Sequence, residues 1–311
     1  MTALQPTDHA VSAAFTDDAP QRKNRSRAPK AVLSTLPNLT RLLCCPTCRG
    51  ELQALACSAC GTRYSATGQQ IVFVETEGFE SVDAAFQAEQ VYNSSLGGRL
   101  YNAGRRVIST EYQPTDHLKQ FLGRLPRNAV VVELGSGTRR LSDQIVNVDL
   151  FAFPHVDLVA DIAHTPLQDG VADAVILDSV IEHVPDPAAV AAEALRILKP
   201  GGTLFCNCPF ILPYHGYPAH YANFTRDGLQ HLFRSFSACT VKPTFGPMTA
   251  WVNFTTEAIA IMTTGDNKSA YVIVKGLALL PIFWLKYLDK LFVRSPNAHR
   301  IAGMLCALAV K

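Results

Sequence analysis

The residues best suited to chemistry begin with four cysteines. Cys45 and Cys48 form a CPTC knuckle, Cys57 and Cys60 a CSAC knuckle, and Gly50 and Gly61 follow the respective pairs. Two residues between cysteines let both thiolates of a knuckle face one tetrahedral ion, and two knuckles close a structural Zn²⁺ site. So short a segment buries little core, so the metal is expected to supply most of its folding free energy. Cys44 is an alternative to Cys45 as ligand, although the CPxC arrangement favours Cys45.

A second group combines glycines with acids. In AVVVELGSGTRRL an apolar strand runs into a turn where Gly135 and Gly137 let backbone approach a bound cofactor with no Cβ in the way. The third glycine of a dinucleotide fingerprint is missing, with Arg139 or Arg140 in its place, which argues against a pyrophosphate-bearing cofactor. Downstream, IVNVDL sets Asp149 at the end of a second strand, where a carboxylate can accept hydrogen bonds from both hydroxyls of a ribose. The interval from Gly137 to Asp149 is short, so the first crossover helix is expected to be cut to a turn or two.

A third group is rings. CNCPFILPYHGYPAHYANFTRDGL carries Tyr214, His215, Tyr217, His220 and Tyr221 just past a predicted strand, at the sheet end where open α/β sheets bind ligands. His215 and His220 are the expected bases or hydrogen-bond partners on the acceptor side of the site, and His183 joins them as a catalytic candidate.

The elements that must position these groups follow from hydrophobic patterning. AVVVELG, IVNVDL, DLVAD, AVILD and TLFCNCP are short apolar strands, and AAVAAEALRILKPGG after Pro187 is an amphipathic helix ended by its proline and glycines. Strands alternating with helices specify βαβ units and a parallel sheet. The expected division is a flexible arm over 1–40, a zinc ribbon over 41–76 and a helical connector over 77–125. An α/β domain over 126–262 and an apolar helical extension over 263–311 complete it.

With 311 residues, 48% of them hydrophobic, the chain can bury one full α/β core and carry a small satellite. Lys and Arg number 28 against 26 Asp and Glu, so no strong global field is available to hold a polyanion. The basic run at Arg22, Lys23, Arg25, Arg27 and Lys30 keeps nucleic acid as a secondary partner only. Of nine cysteines, four form the two CxxC pairs and the others are scattered through apolar segments, a pattern of metal binding in a reducing compartment; with an N-terminus lacking a signal-like charged and apolar pair of regions, this points to the cytoplasm. YVIVKGLALLPIFWLKYLDKLFV is too interrupted to cross a bilayer as one helix; packing on the α/β domain is expected, with a peripheral membrane contact as the alternative.

In order along the chain, VVELGSG, NVD, VADIAHTPLQDGVADAVILDSVIEHVPDP and ALRILKPGGTLF resemble a class I S-adenosylmethionine-dependent methyltransferase of the type 11 group. The likeness covers roughly residues 128 to 235 and implies a doubly wound, mostly parallel Rossmann-like sheet. CPTCRGEL with its second CxxC and the final IVFV resembles the small zinc ribbons that accompany such enzymes or are fused to them. The resemblance implies that Glu133, Gly135, Ser136 and Gly137 surround the methionine part of S-adenosylmethionine and that Asp149 takes the ribose. It implies further that Asp161, with Ile162, holds the adenine amino group, that Asp178 and Ser179 face the sulfonium, and that Glu182 and His183 form the EHV signature. The PYHGYPxHYxxFT loop resembles those of methyltransferases encoded with glycan-assembly enzymes, implying a small-molecule, glycan or lipid-linked acceptor. An RNA acceptor and a catalytically silent binding partner are the alternatives.

Overall fold

Short runs of β-branched residues too apolar for solvent form the centre of the molecule. The computed structural model describes residues 39–74, 107–216 and 219–311. Residues 1–38 of the expected arm over 1–40, the connector up to residue 106 and Tyr217 lie outside them. Around the cysteines stand β1 (Leu52–Gln53), β2 (Ala56–Cys57), β3 (Ser65–Thr67) and β4 (Gln70–Val72). Helix α1 (His117–Arg124) then leads into β5 (Val131–Leu134), β6 (Ile145–Asp149), β7 (Leu158–Val159) and β8 (Ala172–Asp178). After these come α2 (Pro187–Ile197), β9 (Leu198–Pro209), α3 (Arg226–Leu232) and β10 (Ala238–Phe245). The chain finishes with α4 (Pro247–Thr264), α5 (Lys268–Leu279), α6 (Asp289–Phe292) and β11 (Met304–Val310).

Nine of these strands form one sheet in the order β10-β11-β9-β8-β5-β6-β7-β4-β3. The run from β9 to β4 is parallel throughout, and β11 is inserted antiparallel between β9 and β10. Strands alternate faces, so Val132, Leu134, Val175 and Leu177 enter the larger core, while Val131, Ala174, Ile176 and Phe205 pack on the other side with Phe121 of α1. Helix α2 starts where Asp186 accepts from the Ala188 and Ala189 amides, both at 3.0 Å, with Pro187 in the first turn.

The structure departs from the sequence expectations in three places. Between β5 and β6 there is no helix at all, only turns, so even the truncated crossover is absent. The span 263–311 is not purely helical: its last residues are β11, paired along its length with β9, because MLCALAV is buried on both faces and lacks the alternation of a half-exposed strand. The α/β domain therefore runs past 262 to the end of the chain, with α4 to α6 inserted between its last two strands. The cysteine segment, in turn, is no detached satellite: β4 pairs parallel with β7 and extends the same sheet.

Candidate functional site

In a doubly wound sheet the ligand crevice opens at the carboxyl ends of the strands where the order reverses. Here β5 is followed by β6 on one side and flanked by β8 on the other, so the reversal falls between β5 and β8. Gly135, Ser136 and Gly137 follow β5, and Ser179 follows β8. Gly135 has φ +73° and an added Cβ would meet Val180 Cγ1 at 2.6 Å, so only glycine fits. Gly137, at φ +58°, faces nothing within 4 Å, an open floor of the kind a ligand backs onto. Ser179 holds a left-handed φ of 60°, strain of a kind that collects at functional sites.

The acids gather around this turn. Glu133 is buried, and its Oε1 receives Arg139 Nη2 at 2.7 Å; the same nitrogen reaches Asp178 Oδ2 at 2.7 Å. Asp178 also accepts from Asn207 Nδ2 at 2.9 Å. Glu133 Oε2, Ser136 Oγ and Asn207 Oδ1 are buried without a hydrogen-bond partner among the described residues. Asp149 is buried at the end of β6, with Oδ2 accepting from Gly137 N at 2.7 Å and Oδ1 from Phe151 N at 3.0 Å. Burial pushes the Glu133 carboxyl up despite Arg139, and the Asp149 carboxyl up despite those amides. Asp161 is half-exposed and caps its own turn, accepting from Ala163 N at 2.9 Å, with Ile162 buried beside it.

Past β8 the crevice continues into a cavity of about 590 Å³. Asp178, Ser179 and Asn207 line its inner end, His183, Tyr214 and His215 one wall, and Asn253, Glu257, Tyr271 and Lys275 the roof. The roof comes from α4 and α5, so the helical insertion builds one side of this cavity. There the Tyr271 hydroxyl and Lys275 Nζ each donate to Glu257 at 2.5 Å.

The rings differ in what they leave free. His220 is engaged at both nitrogens: Nδ1 accepts from the His215 amide at 3.2 Å and Nε2 lies 2.7 Å from Asn223 Oδ1. His183 and His215 each point Nε2 at Glu182, whose carboxylate is fully buried. That neighbour, more than the opposing effect of burial, holds the His215 imidazole above its ordinary value. Tyr214 stacks on His220 with ring centroids 5.6 Å apart, and Tyr221 is exposed.

Far from this crevice the four knuckle sulfurs come together, all within 4.8 Å of one another. Cys45 and Cys60 Sγ are 3.7 Å apart, Cys48 and Cys57 Sγ 3.4 Å. Four sulfurs at about 2.3 Å from one tetrahedral ion stand about 3.8 Å apart, so the set matches a metal's demand. Burial alone would raise the Cys45 thiol, but the Tyr64 hydroxyl and local amides pull it down to about 6. Cys44 turns away from this group and meets the Leu167 carbonyl at 3.3 Å, while Cys45 stands among the four.

Sequence reasoning misses Arg139 and gives Glu182 only as part of the EHV signature. Arg139 was noticed only as an interruption of a glycine pattern, and no local signal says that its side chain bridges the ends of β5 and β8. The roof residues Asn253, Glu257, Tyr271 and Lys275 were also out of reach, because their segment has no fixed register with the strands until it folds.

This strand order, with the crevice at its reversal and an acid closing β6, is that of a class I S-adenosylmethionine-dependent methyltransferase domain. Residues 117–206 match the family model described as a methyltransferase domain. The chain is 32% identical over 117 residues to the ubiquinone biosynthesis O-methyltransferase of Xanthomonas oryzae pv. oryzae, an overlap covering 36% of this chain and 46% of that one. It is 53% identical over 38 residues to the protein of the same name from Methylococcus capsulatus, covering 12% of this chain and 16% of that one. The chain thus spans less than half the length of these curated relatives. Among solved structures, a SAM-dependent methyltransferase from Archaeoglobus fulgidus aligns over 73% of this chain and 99% of its own, with 14% identity and TM-score 0.40.

Proposed function

We propose that this chain transfers a methyl group from S-adenosylmethionine to an oxygen of a small polar acceptor. One observation carries the reading. The open turn at Gly137 lies against Asp149 and beside the unpartnered atoms Glu133 Oε2 and Ser136 Oγ, at the sheet's reversal point. These groups fit the cofactor: Asp149 for the ribose hydroxyls, Glu133 for the amino group, Asp161 and Ile162 for adenine. No helix N-terminus follows the glycine turn to receive an anion, so Arg139 is the cation available for the methionyl carboxylate. The cofactor supplies an electrophilic methyl on a sulfonium.

Such a transfer needs alignment more than covalent help. Asp178 and Ser179 sit where the crevice meets the cavity, so the acceptor enters from the side roofed by α4 and α5. The roof's Glu257, Tyr271, Lys275 and Asn253 suit an acceptor rich in hydroxyls, in line with a glycan or another small polar molecule. On the outside of α5, Val272, Ile273 and Leu277 are exposed, which supports a lipid-linked acceptor approaching along a membrane surface. Among the described residues no single helix is long and apolar enough to cross a membrane. For the four cysteines we propose one structural Zn²⁺.

The test is incubation with methyl-labelled S-adenosylmethionine and cell extract fractionated into glycan, lipid, RNA and protein. Label in the glycan or lipid fraction supports the reading. Label in RNA favours nucleic acid as acceptor, and no label in any fraction, with cofactor bound, indicates a silent binding partner.

A further inference from the structure

Behind the cavity wall that His183 and His215 form, their two Nε2 atoms converge on the buried carboxylate of Glu182. Glu182 is 0% exposed, and neither of its carboxylate oxygens has a hydrogen-bond partner among the described residues. A carboxylate buried and left unpaired is costly enough that folds rarely keep one without a counter-charge. The groups facing it are two histidines: His183 Nε2 at 3.9 Å and His215 Nε2 at 4.0 Å from Glu182 Oε1, both too long for a hydrogen bond. The opposite nitrogen of each ring fixes its tautomer. His183 Nδ1 meets the Ala219 carbonyl and His215 Nδ1 the Pro213 carbonyl at 3.1 Å. A carbonyl only accepts, so both Nδ1 atoms carry a proton, and Nε2 of either ring, where it is deprotonated, presents a lone pair to the carboxylate.

What fits among these three ligand atoms, all within 4.8 Å of one another, is a cation. Metal bonds to imidazole and carboxylate are about 2.0–2.2 Å, so ligands on opposite sides of one ion stand up to about 4.2 Å apart. Backbone carbonyls orienting the far nitrogen of each ring are the usual support of a metal-binding histidine. His220 packs its ring 4.3 Å from that of His215 and accepts the His215 amide, so it orients this ligand without being one.

We infer that Glu182, His183 and His215 bind a divalent first-row transition ion whose open positions face the acceptor cavity. Two imidazoles and one carboxylate, spread around the ion, leave coordination sites for oxygen ligands. Resting on the reading of the cavity as the acceptor site, the ion holds the acceptor hydroxyl and makes it more acidic. His183 and His215 are then ligands, not bases. A second proton on the His215 ring would meet the same electrostatic need, and the experiment separates the two.

Full-length apoprotein is titrated with Co²⁺ and followed by absorption. The expected result is two equivalents: one with the intense thiolate charge-transfer bands of the four cysteines, one with only the weak bands of a nitrogen and oxygen site. The second equivalent is lost in Glu182→Gln and in His215→Ala, the latter a half-exposed position where substitution leaves the fold intact, and is kept in Asp149→Ala. A wild-type chain that binds a single equivalent overturns the proposal, as does a His215→Ala protein that keeps both. S-adenosylmethionine binding is measured on the same samples without added metal. Binding retained there while the second equivalent is missing rejects the ion alone, and leaves the methyltransferase reading standing.

Discussion

Two adjacent arginines carry different burdens. Arg139 leans into the crevice between Glu133 and Asp178, whereas Arg140 turns to the side of the sheet and pairs with buried Asp157, Nη2 to Oδ1 at 2.6 Å. Asp157 also accepts the Asn147 amide at 2.8 Å, so it fastens the loop beyond β6 to that strand. Removing Arg140 leaves that carboxylate buried without its counter-charge, and Arg140→Ala is expected to cost about 3 kcal/mol in denaturant unfolding with cofactor affinity little changed. Arg139→Ala is expected to add to a destabilisation of similar origin, since buried Glu133 loses its counter-charge, a loss of about tenfold or more in S-adenosylmethionine affinity by calorimetry. The sequence displays both as the pair RR after a glycine turn. Only the direction of each side chain, set by the missing crossover helix, tells them apart.

The helical insertion is held by polar contacts at its ends. Asp289 is fully buried and accepts the Met248 and Thr249 amides at 2.9 and 2.8 Å, capping the N-terminus of α4 from far along the chain. Asp289→Ala is expected to lower unfolding free energy by about 2 kcal/mol, measured by chemical denaturation. The α4–α5 pair is pinned instead by Glu257 with Tyr271 and Lys275. Burial would raise the Glu257 carboxyl, but Lys275 and Tyr271 outweigh it and hold it below its ordinary value. A carboxyl lowered on folding contributes stability above its ordinary value and loses it as pH falls through the lowered one. Hydrogen exchange in α5 is therefore expected to speed up selectively below about pH 4.5. Unchanged protection there would remove Glu257 from this role.

At this scale the sequence was legible where periodicity was clear. The runs VVEL, IVNVD and ADAVILD are short, apolar and β-branched, and became the parallel strands expected. MLCALAV carries no such signal, because a strand buried on both faces shows no alternation and because it follows a long helical stretch. Tyr214 and His215 lie past the carboxyl end of the sheet, as the sequence implies, yet which nitrogen of each histidine stays free depends on carbonyls at Pro213 and Ala219 that no motif encodes.

Across the whole molecule, the cysteine unit and the sheet behave as one body. Beyond the β4–β7 pairing, Cys44 N donates to Pro166 O at 2.7 Å and Arg49 Nη1 to Thr165 O at 2.8 Å, on the loop that leads to β8. Stripping the proposed Zn²⁺ with a chelator, or Cys57→Ser, is thus expected to lower the melting temperature by more than about 5 °C, because the metal's binding energy is folding energy for that sheet edge. Cofactor affinity changes less, since β5, β6 and β8 hold the crevice. The four-cysteine site was plain in the sequence because its geometry is local; its union with the sheet was not, because a parallel pairing between Ile71 and Leu158 leaves no trace in either segment alone.

The central claim is that the crevice between β5 and β8 holds S-adenosylmethionine, with Asp149 on its ribose. Isothermal calorimetry of the cofactor against the wild-type chain and Asp149→Ala tests it most directly. The account predicts one site per chain in the wild type and an affinity lower by about tenfold or more in the variant, the cost of losing hydrogen bonds to a carboxylate. A wild-type chain that binds no cofactor, or a variant that binds it equally well, contradicts the account.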